Sequence, residues 1–184
     1  MTDPIVFVDL DGVLADFWSA AVRVHDRDPE SISSEDRAEW NMAKYLTGGD
    51  DVAFWEKIDN DGFAFWAGLD PYPWAVDLWR SISGRWPRAT ILTNTPFDPE
   101  ASAGKHAWIA RHLTTRRFLI GAVKDVCAGP RHVLVDDSPA NLEKFRGAGG
   151  LALGLQQPWC PEGVEPGRVV TCVADLLGEG TFHD

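Results

Sequence analysis

Short apolar runs alternate along the chain with segments in which apolar residues recur every three or four positions. Ile5-Val6-Phe7-Val8 is a continuous apolar run that stops at Asp9-Leu10-Asp11-Gly12. Such a run fits a strand buried on both faces, as in a parallel sheet. Residues 14–24 then read as a helix, with Leu14, Phe17, Trp18, Ala21 and Val22 as its apolar positions. Ala89-Thr90-Ile91-Leu92 predicts a second buried strand that ends at Thr93-Asn94-Thr95-Pro96. A helix over 105–113 and a strand over 117–120 follow. His132-Val133-Leu134-Val135 predicts another buried strand, stopping at Asp136-Asp137-Ser138-Pro139. There Ser138 and Pro139 suit the N-cap and first position of the next helix. Residues 150–155 predict a further strand. The tail reads as a short strand at Val169-Val170 and a helix over 173–177.

Between about residues 25 and 70 the pattern changes. Charged residues alternate with Trp40, Tyr45, Phe54, Trp55, Phe63, Phe65 and Trp66, and no β-branched run appears. This segment reads as a small helical insertion. Pro71-Tyr72-Pro73-Trp74 closes it, and Pro73 opens a helix that runs to Ser83. Strands alternating with helices give an α/β fold with a parallel sheet, whose ligands sit beyond the carboxyl ends of the strands. Asp9/Asp11, Thr93/Asn94 and Asp136/Asp137 all fall at such ends, so three strands deliver carboxylates and hydroxyls to one edge.

Composition narrows the partners. A chain of 184 residues forms one compact core plus a modest insertion. Its net charge of −11 argues against a nucleic-acid polymer or an anionic membrane as the main partner. A small phosphate substrate stays possible, because one metal ion inverts the local field. Cys127, Cys160 and Cys172 are too few and too scattered for a disulfide framework or a zinc site, and no C-x5-R signature occurs. With no basic segment leading into a long apolar run, the expectation is a soluble cytoplasmic enzyme. An aromatic-rich insertion also leaves room for a homodimer.

A lone D-x-D is weak evidence, since it also occurs in solvated turns. Here it follows an apolar strand, and a second acidic pair follows another. Packing does not require four carboxylates at one sheet edge, and their repulsion calls for a cation. Oxygen-rich sites of this kind favour Mg²⁺. The competing explanation is helix capping, which suits Ser138 and Asp137 better than Asp9 and Asp11. Asp16 reads as structural, at the start of a helix. Gly12 serves a sharp turn. Gly147-Ala148-Gly149-Gly150 precedes a strand, so it reads as a helix terminus and turn instead of a dinucleotide loop.

Val8-Asp9-Leu10-Asp11-Gly12-Val13 resembles the first motif of the haloacid dehalogenase superfamily. Thr93 after a β-run, a downstream lysine, and Val135-Asp136-Asp137 resemble the second, third and fourth motifs, in the right order. Within that superfamily the chain looks most like the 5′(3′)-deoxyribonucleotidases. The closer likeness is carried by Asp9 to Phe17, by Lys105-His106-Ala107-Trp108 and by the aromatic-rich insertion. The resemblance implies a Rossmannoid three-layer α/β/α core over residues 1–16 and 75–184, with a small helical cap over 17–74. It departs from those enzymes at Thr93-Asn94-Thr95-Pro96, where they commonly carry Thr-Ser-Pro.

By that resemblance Asp9 attacks phosphorus, and Asp11 serves first as general acid and then as general base. Mg²⁺ would be bound by Asp9, Asp136 and the main-chain carbonyl of Asp11, with Asp137 in or just behind that shell. Thr93 and the main-chain amide of Asn94 would hold the phosphate. Of the two candidate lysines, Lys105 matches the nucleotidase pattern best and Lys124 comes second. Phe17, Trp40, Phe65 and Trp66 are the candidates for stacking on a nucleobase, although a cap of this size also needs aromatics for its own core. The implied activity is hydrolysis of (deoxy)ribonucleoside monophosphates. A sugar phosphate or another small phosphomonoester is the alternative substrate. A non-catalytic phosphate- or nucleotide-binding module is a third reading, but it would be expected to lack Asp9 or Asp11.

Overall fold

The structure, a computed structural model, describes residues 3–96 and 98–180. Residues 1, 2, 97 and 181–184 of the expected core lie outside the described residues. In chain order the elements begin with β1 (Ile5–Val8) and α1 (Phe17–Val24). The insertion supplies α2 (Ser34–Ala38), α3 (Ala43–Leu46) and α4 (Asp51–Ala67). Next come α5 (Ala75–Arg85), β2 (Thr90–Thr93), α6 (Pro99–His112) and β3 (Phe118–Ile120). The chain then forms β4 (His132–Asp136), α7 (Pro139–Gly147), β5 (Leu151–Gly154) and α8 (Val169–Leu176).

The five strands form one sheet in the order β3-β2-β1-β4-β5, with every neighbouring pair parallel. Alternation along the strands explains the layers. Val6, Val8, Ile91, Val133 and Val135 face one buried cluster with Leu78, Ile82, Trp108 and Val173 from the helices. Phe7, Leu92 and Leu134 face the other, against Leu142 and Phe145 of α7. The sheet is therefore covered on both sides, as its continuous apolar strands required. Register sets the site, because Val8 pairs with both Ile91 and Val135. The next residues along, Asp9 and Asp136, consequently emerge side by side.

Several boundaries differ from the pattern-based reading, among them α5, which starts at Ala75 instead of Pro73 and runs to Arg85. Helix α1 starts at Phe17, because Asp11 to Ala15 form a turn first, with Gly12 N–H donating to Ala15 O and Leu14 N–H to Leu10 O. Asp16 then caps the helix, its carboxylate accepting from Ser19 N at 2.9 Å, as its structural reading required. Helix α6 starts earlier, at Pro99, where Asp98 accepts from Glu100 N at 2.9 Å. In the tail, the strand expected at Val169-Val170 is instead the first turn of α8. Val169, Val173 and Leu177 recur every four residues and are all buried, so one helical face accounts for them.

The insertion shares its core with the sheet. Trp18, Phe54, Ile58, Phe65 and Trp66 belong to the same buried cluster as Val6 and Ile91. Helix α4 breaks at Gly62, whose φ of 49° and ψ of −129° suit glycine alone. The freed N–H of Phe63 donates to Glu100 of α6 at 3.0 Å. Beyond the break, a Cβ on Gly104 would lie 2.5 Å from the Cβ of Trp66, so α4 and α6 approach through a glycine. No helix among the described residues is long and apolar enough to cross a membrane.

Candidate active site

The carboxyl ends of β1 and β4 carry three buried carboxylates. Asp9, Asp136 and Asp137 place carboxylate oxygens within 4.8 Å of one another. Asp136 is held from several sides. Its Oδ1 accepts from Ser138 N at 2.8 Å, and its Oδ2 accepts from Asn141 Nδ2 at 3.2 Å. Ser138 caps α7 as expected, whereas Asp137 turns back toward the site and makes no cap contact. Lys124 enters from a short 3-10 turn (Lys124–Cys127) and places Nζ 2.7 Å from Asp9 Oδ1 and 2.7 Å from Asp136 Oδ2.

Burial dominates the electrostatics. It pushes the Asp9 carboxyl up to about 7, against the pull of the Lys124 ammonium and with further upward pressure from Asp136 and Asp11. Burial also raises Asp137 well above the usual carboxylate range, with Asp136 and Asp9 adding to it. Lys124 is itself penalised by burial, but Asp9 and Asp136 more than offset this and hold it protonated. One ammonium against three carboxylates leaves the cluster short of positive charge. All the donors are hard oxygens, so the residues present fit a magnesium-type ion.

Asp11 points elsewhere. Its Oδ2 pairs with Lys105, which also donates to Thr93 Oγ1 at 3.2 Å and to the Asn94 carbonyl. The Asp11 carboxylate therefore lies outside the three-carboxylate cluster, and only its main chain remains for an ion. Its Oδ1 is buried and has no hydrogen-bond partner among the described residues. Lys105 is 1% exposed and sits 4.6 Å from the centroid of the Trp66 ring. Each expected lysine thus has its own carboxylate. It is Lys124, the second-choice candidate, that faces Asp9.

Gly12 closes the turn between these groups at a φ of 75°. A Cβ there would lie 2.0 Å from Asp137 Oδ2, so glycine is needed for close approach as well as for the turn. The glycine cluster after α7 is a helix end and turn, with Gly149 at a φ of 90°.

Two cavities reach Asp11, one of about 410 Å³ and one of about 470 Å³, with Phe17 and Trp55 in the walls of both. Trp40 lines the first, and Trp66, Asn94 and Lys105 line the second. Phe65 lines neither. It is 7% exposed and packs edge-on against Phe17 and Trp66, so among the expected stacking residues it is core. Sequence reasoning did not single out Trp55, Gln157 or Trp159. Trp55 carried a signal, because it lies on the same helix as Trp66. The other two sit in a loop with no periodic pattern.

Comparison with known families matches residues 3–158 to the family described as 5′ nucleotidase, deoxy (Pyrimidine), cytosolic type C protein. A search of curated proteins finds no match. Among solved structures the chain is similar to a haloacid dehalogenase-like hydrolase from Burkholderia xenovorans, at 19% identity and a TM-score of 0.58, covering 96% of this chain and 99% of that one. It is also similar to one from Bacteroides fragilis, at 14% identity and a TM-score of 0.59, covering 93% of each chain. A HAD family hydrolase from Deinococcus radiodurans, with bound phosphate and sodium, matches at 16% identity and a TM-score of 0.56, covering 95% and 88%. These identities speak for the shared fold, and the family match covers most of the chain. The chain belongs to the cytosolic type C 5′-nucleotidase family, a group of phosphoric monoester hydrolases built on the haloacid dehalogenase fold.

Proposed function

We propose that the protein hydrolyses (deoxy)ribonucleoside monophosphates to nucleoside and phosphate, with Mg²⁺ as cofactor and an aspartyl phosphate as intermediate. The observation that carries this reading is Lys124 wedged between Asp9 and Asp136 at 2.7 Å from each. It marks Asp9 as a carboxylate kept beside positive charge in a buried site, which is what an anionic nucleophile approaching a phosphate dianion needs.

Asp9 and Asp136 would hold Mg²⁺ together with the Asp11 main-chain carbonyl, and Asp137 would sit beside them. When bound, the ion neutralises charge on the phosphoryl oxygens. Asp9 attacks phosphorus, and the bond to the ester oxygen breaks. Asp11 delivers a proton to the departing oxygen through its unpartnered Oδ1, while Lys105 grips Oδ2 and fixes the carboxylate. Asp11 then takes a proton from the water that attacks the aspartyl phosphate, and Asp9 is regenerated. Thr93 and Asn94, tied to Lys105, lie where the phosphate would be received.

Residues 17–74 act as the cap. Phe17, Trp40 and Trp55 present aromatic surface to cavities that reach Asp11, which favours a flat nucleobase over a bare sugar. The test is phosphate release from a panel of nucleoside monophosphates and sugar phosphates, with Mg²⁺ and with chelator. Magnesium-dependent turnover concentrated on a few nucleotides is expected. Equal or better turnover of sugar phosphates would remove the nucleotide assignment and leave the hydrolytic chemistry.

A further inference from the structure

The loop after β5 reaches the site from the far edge of the sheet. It is a built turn: Leu155 bridges Val164, Gln157 bridges Cys160, and Cys160 N–H donates to Gln157 O at 2.9 Å. Two side chains project from it into the catalytic edge. Gln157 is 8% exposed, and its Nε2 donates to Gly12 O at 2.6 Å. Trp159 Nε1 donates to Asp137 Oδ2 at 2.8 Å.

Asp137 depends on that donor. Lys124 pairs with Asp9 and Asp136, and Asp137 forms no ion pair among the described residues. Its side chain is buried beside two other carboxylates, and the indole N–H is the hydrogen-bond donor it has there. A buried carboxylate without a donor is expensive and is pushed away by its neighbours. Oδ2 is also pressed against Gly12, at the spot where a side chain would otherwise stand. The same Trp159 ring meets Trp40 of the insertion edge-on, with centroids 6.4 Å apart, and lines the smaller cavity. One side chain therefore touches the carboxylate cluster and also forms part of the wall of the smaller cavity.

We infer that Trp159 is a positioning residue of the metal site, holding Asp137 in place through its indole N–H while its ring forms a wall of the substrate cavity. The inference rests on the proposed magnesium site but not on the identity of the substrate. A donor behind a metal-side carboxylate fixes its orientation, and removing such donors typically weakens metal affinity about 10–100-fold. Loss of the ring is a separate matter that affects only the leaving group.

The test is a calorimetric Mg²⁺ titration of the full chain without substrate, on wild type, Trp159→Phe and Trp159→His. Trp159→Phe keeps an aromatic ring and removes the donor, so its Mg²⁺ affinity should fall by at least about tenfold. Trp159→His returns a ring N–H and should recover most of the loss. At saturating Mg²⁺, Trp159→Leu, lacking the ring, should raise the nucleotide KM about tenfold over wild type. Wild-type Mg²⁺ affinity in Trp159→Phe would leave the indole N–H without a role, and equal losses in the Phe and His variants would assign the effect to packing; either result overturns the inference. Should the Phe variant fail to fold, the His variant decides, with near-wild-type affinity supporting the role and a tenfold loss refuting it. No Mg²⁺ binding by the wild type would sink both this inference and the magnesium reading. A negative nucleotide panel with the expected Mg²⁺ series would sink only the substrate assignment.

Discussion

The floor of the site and its aromatic roof are assembled in different ways. The floor consists of residues at or just past strand ends: Asp9 after β1, Thr93 as the last residue of β2, Asp136 as the last residue of β4 and Asp137 after it. Strand register alone brings them together, since Val8 pairs with Ile91 and Val135. The roof is gathered from α1, the α2–α3 link, α4 and the loop after β5, through Phe17, Trp40, Trp55 and Trp159. Only packing brings those four side chains together. The floor is polar and buried, with its geometry fixed by charge and hydrogen bonds. The roof is apolar and partly open, with Trp40 53% exposed. In the proposed function, chemistry common to all substrates falls to the floor and choice among substrates to the roof.

The largest test of this division is Asp9→Asn. It should lower turnover of every phosphomonoester by at least about 10³-fold while far-ultraviolet circular dichroism stays native. Activity retained on any substrate would remove Asp9 as nucleophile. Next in size is Lys124→Met, which strips the ammonium from two buried carboxylates and should destabilise the magnesium-free protein by about 3–5 kcal/mol in urea unfolding. Lys105→Met should cost less, because its partner Asp11 has a side chain 23% exposed against 9% and 0% for Asp9 and Asp136. A reversed ranking would mean that Lys105 is the main charge compensator of the floor.

On the roof, Trp55→Ala should lower kcat/KM for nucleotides by about 5–150-fold, in line with about 1–3 kcal/mol for a stacked base. It should leave hydrolysis of glycerol phosphate nearly unchanged. An equal loss on both substrates would erase the distinction between floor and roof. The mildest perturbation is a change of pH, read in Mg²⁺ binding. With its pKa raised to about 7, metal-free Asp9 is mostly protonated below that pH and ionised above it. A proton and the ion compete for the carboxylate, so apparent Mg²⁺ affinity should fall about tenfold per unit below pH 7 and level off above it. Calorimetric titrations from pH 5 to 8 would show this, and a flat profile would remove Asp9 from the ion's ligands.

How much could be read beforehand follows the same line. The five strands of the sheet were found because each is a short apolar run bounded by polar or glycine residues. Ser138 and Pro139 announced the start of α7 by local chemistry. Asp98-Pro99 carries the same kind of local signal for the start of α6. The tail misled because Val169-Val170 has strand composition, while burial along Val169, Val173 and Leu177 favours a helix. The pairing of the lysines was not readable, since Lys124 lies 12 residues before Asp136 and its direction depends on a short 3-10 turn.

The sequence by itself determined the parallel α/β sheet, the convergence of Asp9, Asp11, Thr93, Asp136 and Asp137 on one edge, and the presence of an aromatic insertion. These follow from properties local to a few residues: apolar runs, acidic strand ends and turn-forming glycine. Tertiary structure decided which carboxylate each lysine serves, which aromatics face Asp11 and which are core, and that the loop after β5 closes the site. Those outcomes depend on contacts across long stretches of chain, such as Trp159 to Asp137 over 22 residues and Gln157 to Gly12 over 145. No periodicity encodes such contacts. They are fixed only once the sheet, α4 and α6 have packed and each buried polar group has found its partner.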